Sequence, residues 1–230
     1  MDRKSVAMYN PLDPIEREMC HDIARSCLKN SSYDLTSGGR GGDFFDIDEY
    51  TSSKSPGAEN GQSAAEKARK VADLCAKKID ELKSNGTEID RLAFTERDSG
   101  PVGMITYKDL IETVANMETC IIRPRKRLLR SALKGRPFNP GERVALISDV
   151  ATSGDTIHEA AEKIWSLGAV VSCALVFYDR LEGAREYLSL YDIDLVPIFD
   201  RMNFEEENII DPKDSQISNV VQLIGVGTTS

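Results

Sequence analysis

Apolar positions recur along this chain with two different periods, and their alternation predicts its layout. Over residues 13–29, Ile15, Met19, Ile23 and Cys27 form one stripe of an amphipathic helix. Over 64–83, positions 68, 71, 72, 75, 79 and 82 repeat at helical spacing and place Cys75 on the buried side. Ser63 and Glu66 form a capping-box pair before that helix, and Asn85-Gly86 ends it. Between helices lie short runs of strand length: 91–95, 118–122, 170–178 and 195–199. Val144-Ala145-Leu146-Ile147 is continuously apolar, as expected of a parallel strand covered on both faces. Helices are expected over 102–115, from Thr156 (with Glu159 as capping partner) to Leu167-Gly168, and over 183–190. Strands alternating with helices predict an α/β domain with a mainly parallel central sheet flanked by helices.

Elsewhere the pattern weakens. The Gly-rich stretch 37–42 is read as a turn leading into a strand at 44–48, and 51–61 as a polar loop. Beyond Asp200 an acidic segment to Asp214 is a helix, a flap or a loose tail. The chain divides into residues 1–60, a core at 61–200 and a C-terminal segment at 201–230.

Composition narrows the function classes. The 230 residues carry 29 Lys+Arg and 38 Asp+Glu, a net charge of −9, which argues against a surface that coats nucleic acid or anionic lipid. No apolar run approaches the ~20 residues of a membrane span, and Met1-Asp2-Arg3-Lys4 opens no secretory leader. Five scattered cysteines and two distant histidines, His21 and His158, hold no zinc spacing. A reduced, cytoplasmic protein is expected.

One stretch carries chemistry. After the run to Ile147 come Ser148-Asp149-Val150-Ala151-Thr152-Ser153-Gly154-Asp155-Thr156. In an open α/β sheet ligands bind beyond the carboxyl ends of the strands. A strand-end carboxylate, Asp149, accepts hydrogen bonds from vicinal sugar hydroxyls. The small residues that follow bring backbone N–H groups, hydroxyls and a helix N-terminus around an oxyanion. An ordinary βα loop capped by Thr156 has the same composition, and the residues alone leave both readings open.

This segment resembles the phosphoribosyl pyrophosphate (PRPP) signature of type I phosphoribosyltransferases, an apolar strand, two acids and a T-[TS]-G-x-T turn. Ser148 stands where that family usually has the first acid. Three further stretches are similar to the orotate phosphoribosyltransferases. These are Thr36-Ser37-Gly38-Gly39-Arg40-Gly41-Gly42-Asp43-Phe44-Phe45-Asp46, Tyr178-Asp179-Arg180-Leu181-Glu182-Gly183 and Ile121-Ile122-Arg123-Pro124-Arg125-Lys126. The resemblance implies the type I fold with a small N-terminal hood over the base site, and transfer of 5-phosphoribose from PRPP to orotate with Mg²⁺. It implies that Ser148, Asp149 and Ala151 to Thr156 (Ala151, Thr152, Ser153, Gly154, Asp155, Thr156) hold PRPP. Arg97, Asp98, Ser99 and Gly100 would form the pyrophosphate loop, and Arg180, Phe44 and Phe45 the base site. Asp149 would meet the metal only indirectly, through ribose or water. Lys positions usual in the family are replaced here, Thr36 among them, and the pyrophosphate loop lacks its usual Lys.

Residues 123–136 hold seven basic residues (Arg123, Arg125, Lys126, Arg127, Arg130, Lys134, Arg136) and no acid. A solvated helix face over Leu128, Leu129 and Leu133, a nucleic-acid patch, and a loop closing on pyrophosphate all fit that composition. The resemblance favours the third, with Arg123, Lys126 and Arg127 as cations near the leaving group. It also implies a homodimer; from the apolar runs and the charge, no membrane partner is expected and a nucleic-acid partner is disfavoured. A non-catalytic PRPP- or nucleotide-sensing module, or a phosphoribosyltransferase for another base, is the alternative.

Overall fold

The computed structural model describes residues 12–34, 40–45, 64–95, 110–123, 133–207 and 209, with backbone only for 23–34, 40–45 and 64. Its centre is a six-stranded sheet, built from β3 (Arg91–Thr95), β4 (Thr119–Ile122), β5 (Leu133–Lys134), β6 (Arg143–Ala151), β7 (Val170–Asp179) and β8 (Leu195–Asp200). The strand order is β5-β4-β3-β6-β7-β8, parallel throughout except for β5 on the edge.

Alternate residues of the central strands feed two separate cores, which is why these strands read as unbroken apolar runs. Ala145, Ile147, Cys173 and Leu175 face α1 (Pro14–Cys27), α2 (Ala64–Ser84), helical residues 110–115 and α5 (Arg201–Glu206). Leu146, Ala174 and Val176 face α3 (Asp155–Ser166) and α4 (Ala184–Ser189). The helical stripe of α2 is buried at Ala68, Val71, Ala72, Cys75 and Ile79, as its period predicts; each large apolar side chain buried this way contributes about 1.5–3 kcal/mol.

Several local expectations are corrected. β6 runs on to Ala151, so Ser148 to Ala151 belong to the strand rather than to the turn. The helix after it starts at Asp155, and its N-cap is Gly154, which makes no side-chain cap bond. Thr156 and Glu159 therefore do not cap it. The glycine is required because φ there is +89°, and an added Cβ would lie 3.1 Å from Tyr187 Cδ1 and 3.2 Å from Leu188 Cγ. Near the N-terminus, Arg40–Phe45 is a strand (β2), antiparallel to a polar strand β1 (Leu28–Asp34) that periodicity does not signal. Thus α1 ends at Cys27, and 40–42 are strand rather than turn. Ser63, the loop 51–61 and Asp46 to Asp48 lie outside the described residues.

The start of the acidic segment is helix α5, held by a capping box between Asp200 and Asn203. Glu207 then joins α1 through Arg17 at 2.7 Å and His21 at 3.0 Å. No helix among the described residues is long and apolar enough to cross a membrane. Cys20, Cys75, Cys120 and Cys173 are free and buried. Burial pushes the thiols of Cys20 and Cys173 up to about 12, which removes them as thiolate nucleophiles.

Candidate functional site

The carboxyl ends of the parallel strands lie on one side of the sheet, where β6 and β7 stop together and β3 stops earlier, level with Ser148. Ser148 and Asp149 are buried there, at 4% and 9% exposure. Thr95, the last residue of β3, donates its hydroxyl to Ser148 Oγ at 3.3 Å, and Ser148 Oγ lies 3.5 Å from Asp149 Oδ1. The Val150 N–H donates to the same carboxylate oxygen at 2.9 Å. The sequence places Thr95 at the start of the expected pyrophosphate loop, 95–101; its bond to Ser148 is what the structure adds.

Beyond Ala151 the chain turns through Thr152 and Ser153 to buried Gly154, and the first turn of α3 starts at exposed Asp155 and Thr156. Ser153 Oγ donates to Asp155 Oδ2 at 2.7 Å, so Asp155 occupies one of the turn's hydroxyls while facing solvent. The turn thus offers Thr152, Thr156 and the helix N-terminus to an anion.

β7 ends beside this turn. Ala151 pairs with Asp179, and the Arg180 N–H donates to the Ala151 carbonyl at 3.0 Å. The Asp179 carboxylate accepts the Leu181 N–H at 2.9 Å, which holds Leu181 at φ 56°. Burial raises the pKa of Asp179, and Arg185 at 3.7 Å offsets that only in part. Arg180 is not a surface residue: it is 4% exposed, and its Nη2 meets Glu182 Oε1 at 2.8 Å.

Sites that composition grouped together are split by the structure. Arg123 lies at the end of β4, half-buried. Lys126 and Arg127, like Arg125 and Arg130, lie outside the described residues, as do Arg97, Asp98, Ser99 and Gly100. Lys134 is in β5 and exposed. Arg136 belongs to the opposite end of the sheet, where it binds Glu118 at 2.8 Å and Glu142 at 2.8 Å. It is a structural cation, and the basic tract therefore supplies fewer loop charges than its sequence suggests. Phe44 and Phe45 are in β2, opposite Lys29 and Leu28.

For a divalent metal, Asp149 is the one buried carboxylate of the 148–156 segment; Asp155 is exposed and accepts the Ser153 hydroxyl. Among the described residues no group of three or more His, Cys, Asp or Glu side chains is placed to hold a metal ion. This donor set fits a Mg²⁺ carried chiefly by substrate phosphate oxygens, with a single carboxylate nearby.

Comparison with known proteins agrees with the resemblance carried by the motifs. The chain is 29% identical over 183 residues to the orotate phosphoribosyltransferase of Pyrococcus abyssi, covering 76% of this chain and 87% of that protein. It is 23% identical over 176 residues to the Methanocaldococcus jannaschii enzyme of the same name, covering 75% and 86%. No family model matches. Among solved structures, Leishmania donovani UMP synthase superposes with a TM-score of 0.64 at 22% identity, covering 91% of this chain and 42% of that one. Orotate phosphoribosyltransferase from Aeropyrum pernix gives 0.58 at 21%, covering 84% and 99%. The Mycobacterium tuberculosis orotate phosphoribosyltransferase in complex with PRPP gives 0.57 at 16%, covering 83% and 98%. The fold is that of the type I phosphoribosyltransferases.

Proposed function

We propose that this chain, a divergent relative of the orotate phosphoribosyltransferases, transfers 5-phosphoribose from PRPP to orotate, giving orotidine 5′-monophosphate and pyrophosphate. N1 of orotate forms the new bond to the sugar C1 as the C1–O bond to pyrophosphate breaks, and N1 loses its proton. The observation that carries this reading is the adjacency of two unlike recognition elements. The strand-end carboxylate and the turn at 149–156 are tied to Arg180, the residue after β7, by the bond from Arg180 N–H to Ala151. One suits a sugar phosphate; the other suits an anionic base.

In this reading Asp149 accepts the ribose hydroxyls, while Thr152 to Thr156 and the α3 N-terminus take the 5′-phosphate. Ser148 joins Asp149 to Thr95, and so couples the ribose site to the strand that leads into residues 97–100, the proposed pyrophosphate loop. Arg180 meets the orotate carboxylate, with Phe44 and Phe45 bordering the ring. Arg123, Lys126 and Arg127 offset the charge that develops on pyrophosphate. Mg²⁺, when bound, neutralises phosphate charge on the substrate and leaving group. We place the enzyme in the cytoplasm as a homodimer acting in pyrimidine biosynthesis.

A second reading, a PRPP-sensing module without turnover, is favoured by Ser148, which is buried as a neutral hydrogen-bonding residue beside Asp149. Loss of orotate absorbance in the presence of PRPP and Mg²⁺ separates the two. Consumption that requires both substrates supports the enzyme. Saturable PRPP binding with no consumption of orotate leaves the sensor, and consumption of another base alone reassigns the substrate.

A further inference from the structure

Arg180 and Glu182 form an unequal ion pair. The arginine side chain is 4% exposed, the glutamate side chain 33%, and they meet through one contact, Nη2 to Oε1 at 2.8 Å. The Arg180 Nε is buried and lacks a hydrogen-bond partner. Nε and Nη2 form the side edge of a guanidinium, the fork that a carboxylate grips with both oxygens. Glu182 therefore occupies half of a bidentate site.

The backbone explains why the arginine stays and the glutamate can leave. Arg180 is pinned by its N–H to the Ala151 carbonyl, and the turn after it is held by Asp179 on Leu181. Glu182 follows Leu181 at positive φ and precedes Gly183 at φ 98°, on the exposed side of the turn. Moving Glu182 into water restores its hydration at little cost. Moving Arg180 would break the packing around it, and leaving it alone would strand a buried charge.

We infer that Glu182 is an internal stand-in for the substrate's carboxylate. It neutralises Arg180 while the base site is empty, and is displaced when a carboxylate-bearing heterocycle takes the Nε/Nη2 edge. This rests on the proposed base site. A base without a carboxylate leaves the Arg180–Glu182 pair closed, whereas one with a carboxylate opens it. Arg180 supplies the preference for a carboxylate, and Glu182, by competing with the ligand, sets how large that preference is.

Calorimetric titration of the full chain tests this, with orotate and orotate methyl ester as probes on wild type, Glu182→Gln and Arg180→Lys. Removing the competing charge tightens orotate about two- to fivefold, the range of a partly exposed ion pair. The ester's affinity is the same for wild type and Glu182→Gln. Orotate binding that is weakened or unchanged by Glu182→Gln, while Arg180→Lys still weakens it, overturns the stand-in and leaves the base site intact. Equal shifts for orotate and ester also overturn it, because they mark a merely structural residue. If Arg180→Lys, with its unfolding midpoint unchanged, binds orotate like wild type, the base site itself is misplaced.

Discussion

Two buried arginines mark opposite ends of the same sheet, and their surroundings differ in kind. Arg91, at the start of β3, is fully buried. It meets Glu118 at 3.1 Å, Glu142 at 4.0 Å and the Arg136 carbonyl at 2.9 Å, with the Phe138 ring 5.1 Å from its guanidinium carbon. Arg136 completes the cluster by binding both glutamates. Gly135, at φ +141°, lets the chain pass close enough, since a Cβ there would come within 2.9 Å of Cys120 Cβ. Arg180, at the end of β7, has one half-exposed partner. Both leave Nε without a hydrogen bond, so an orphan donor alone does not mark a site. What distinguishes Arg180 is a single counter-charge beside the 152–156 turn, whereas Arg91 is shared between two glutamates, the buried Glu142 and the 43% exposed Glu118, and Arg136 binds both of them as well.

The sharpest way to break this contrast is Arg91→Met. Removing one member of a buried ion cluster costs about 3–5 kcal/mol, read as a lower urea midpoint, while PRPP affinity of the folded fraction stays unchanged. A ligand-binding defect without destabilisation would put function at the wrong end of the sheet.

Glu142→Gln comes next, at about 2 kcal/mol, the scale of a lost charged hydrogen bond. Burial works to raise the pKa of Glu142, but hydrogen bonds from Arg136 and the Asn139 N–H outweigh it, and the net shift is downward. A depressed carboxylate contributes stability that is present above its unfolded pKa and lost as pH falls through the folded one. The difference between wild type and Glu142→Gln is therefore full at neutral pH and closes below the ordinary glutamate range. A difference independent of pH would contradict the ion pair.

Gly154→Ala probes the turn at the other end. A left-handed backbone and contact with Tyr187 and Leu188 predict a loss of about 1–2 kcal/mol, with weaker PRPP binding seen by titration. Asp179→Asn is the smallest effect and has the opposite sign. The carboxyl of Asp179 is held above its ordinary range by burial, so the native state loses stability as pH rises from that range through the raised value. Asn keeps the acceptor for Leu181 and removes the charge. Stability at pH 7 should rise by less than about 1 kcal/mol, with a flatter pH profile; a fall at pH 7 would show that the ionised carboxylate is needed.

How much of this was legible in the chain follows from where the information lies. The strands Arg91–Thr95 and Val170–Asp179 and the helix α2 were readable because burial on two faces, or on one stripe, imposes an apolar pattern. β1 was not, since Leu28–Asp34 is mostly polar and owes its form to pairing with β2. The stretch 148–156 stood out because its residues are contiguous and a strand-to-helix turn leaves few choices. Its cap was misread: Thr156 and Glu159 match a local rule, but packing against α4 demands Gly154. Arg136 reads as part of the basic tract because its partners lie outside 123–136: Glu142 six residues on, and Glu118, which β4 brings beside it. For the same reason nothing in the sequence joined Thr95 to Ser148, 53 residues apart.

Calorimetric titration of PRPP into wild type and Asp149→Asn tests the central assignment, that the end of β6 holds the sugar. Losing a charged acceptor predicts binding weakened by about 10- to 100-fold, with an unchanged unfolding midpoint. Equal affinity in the two proteins would contradict the account.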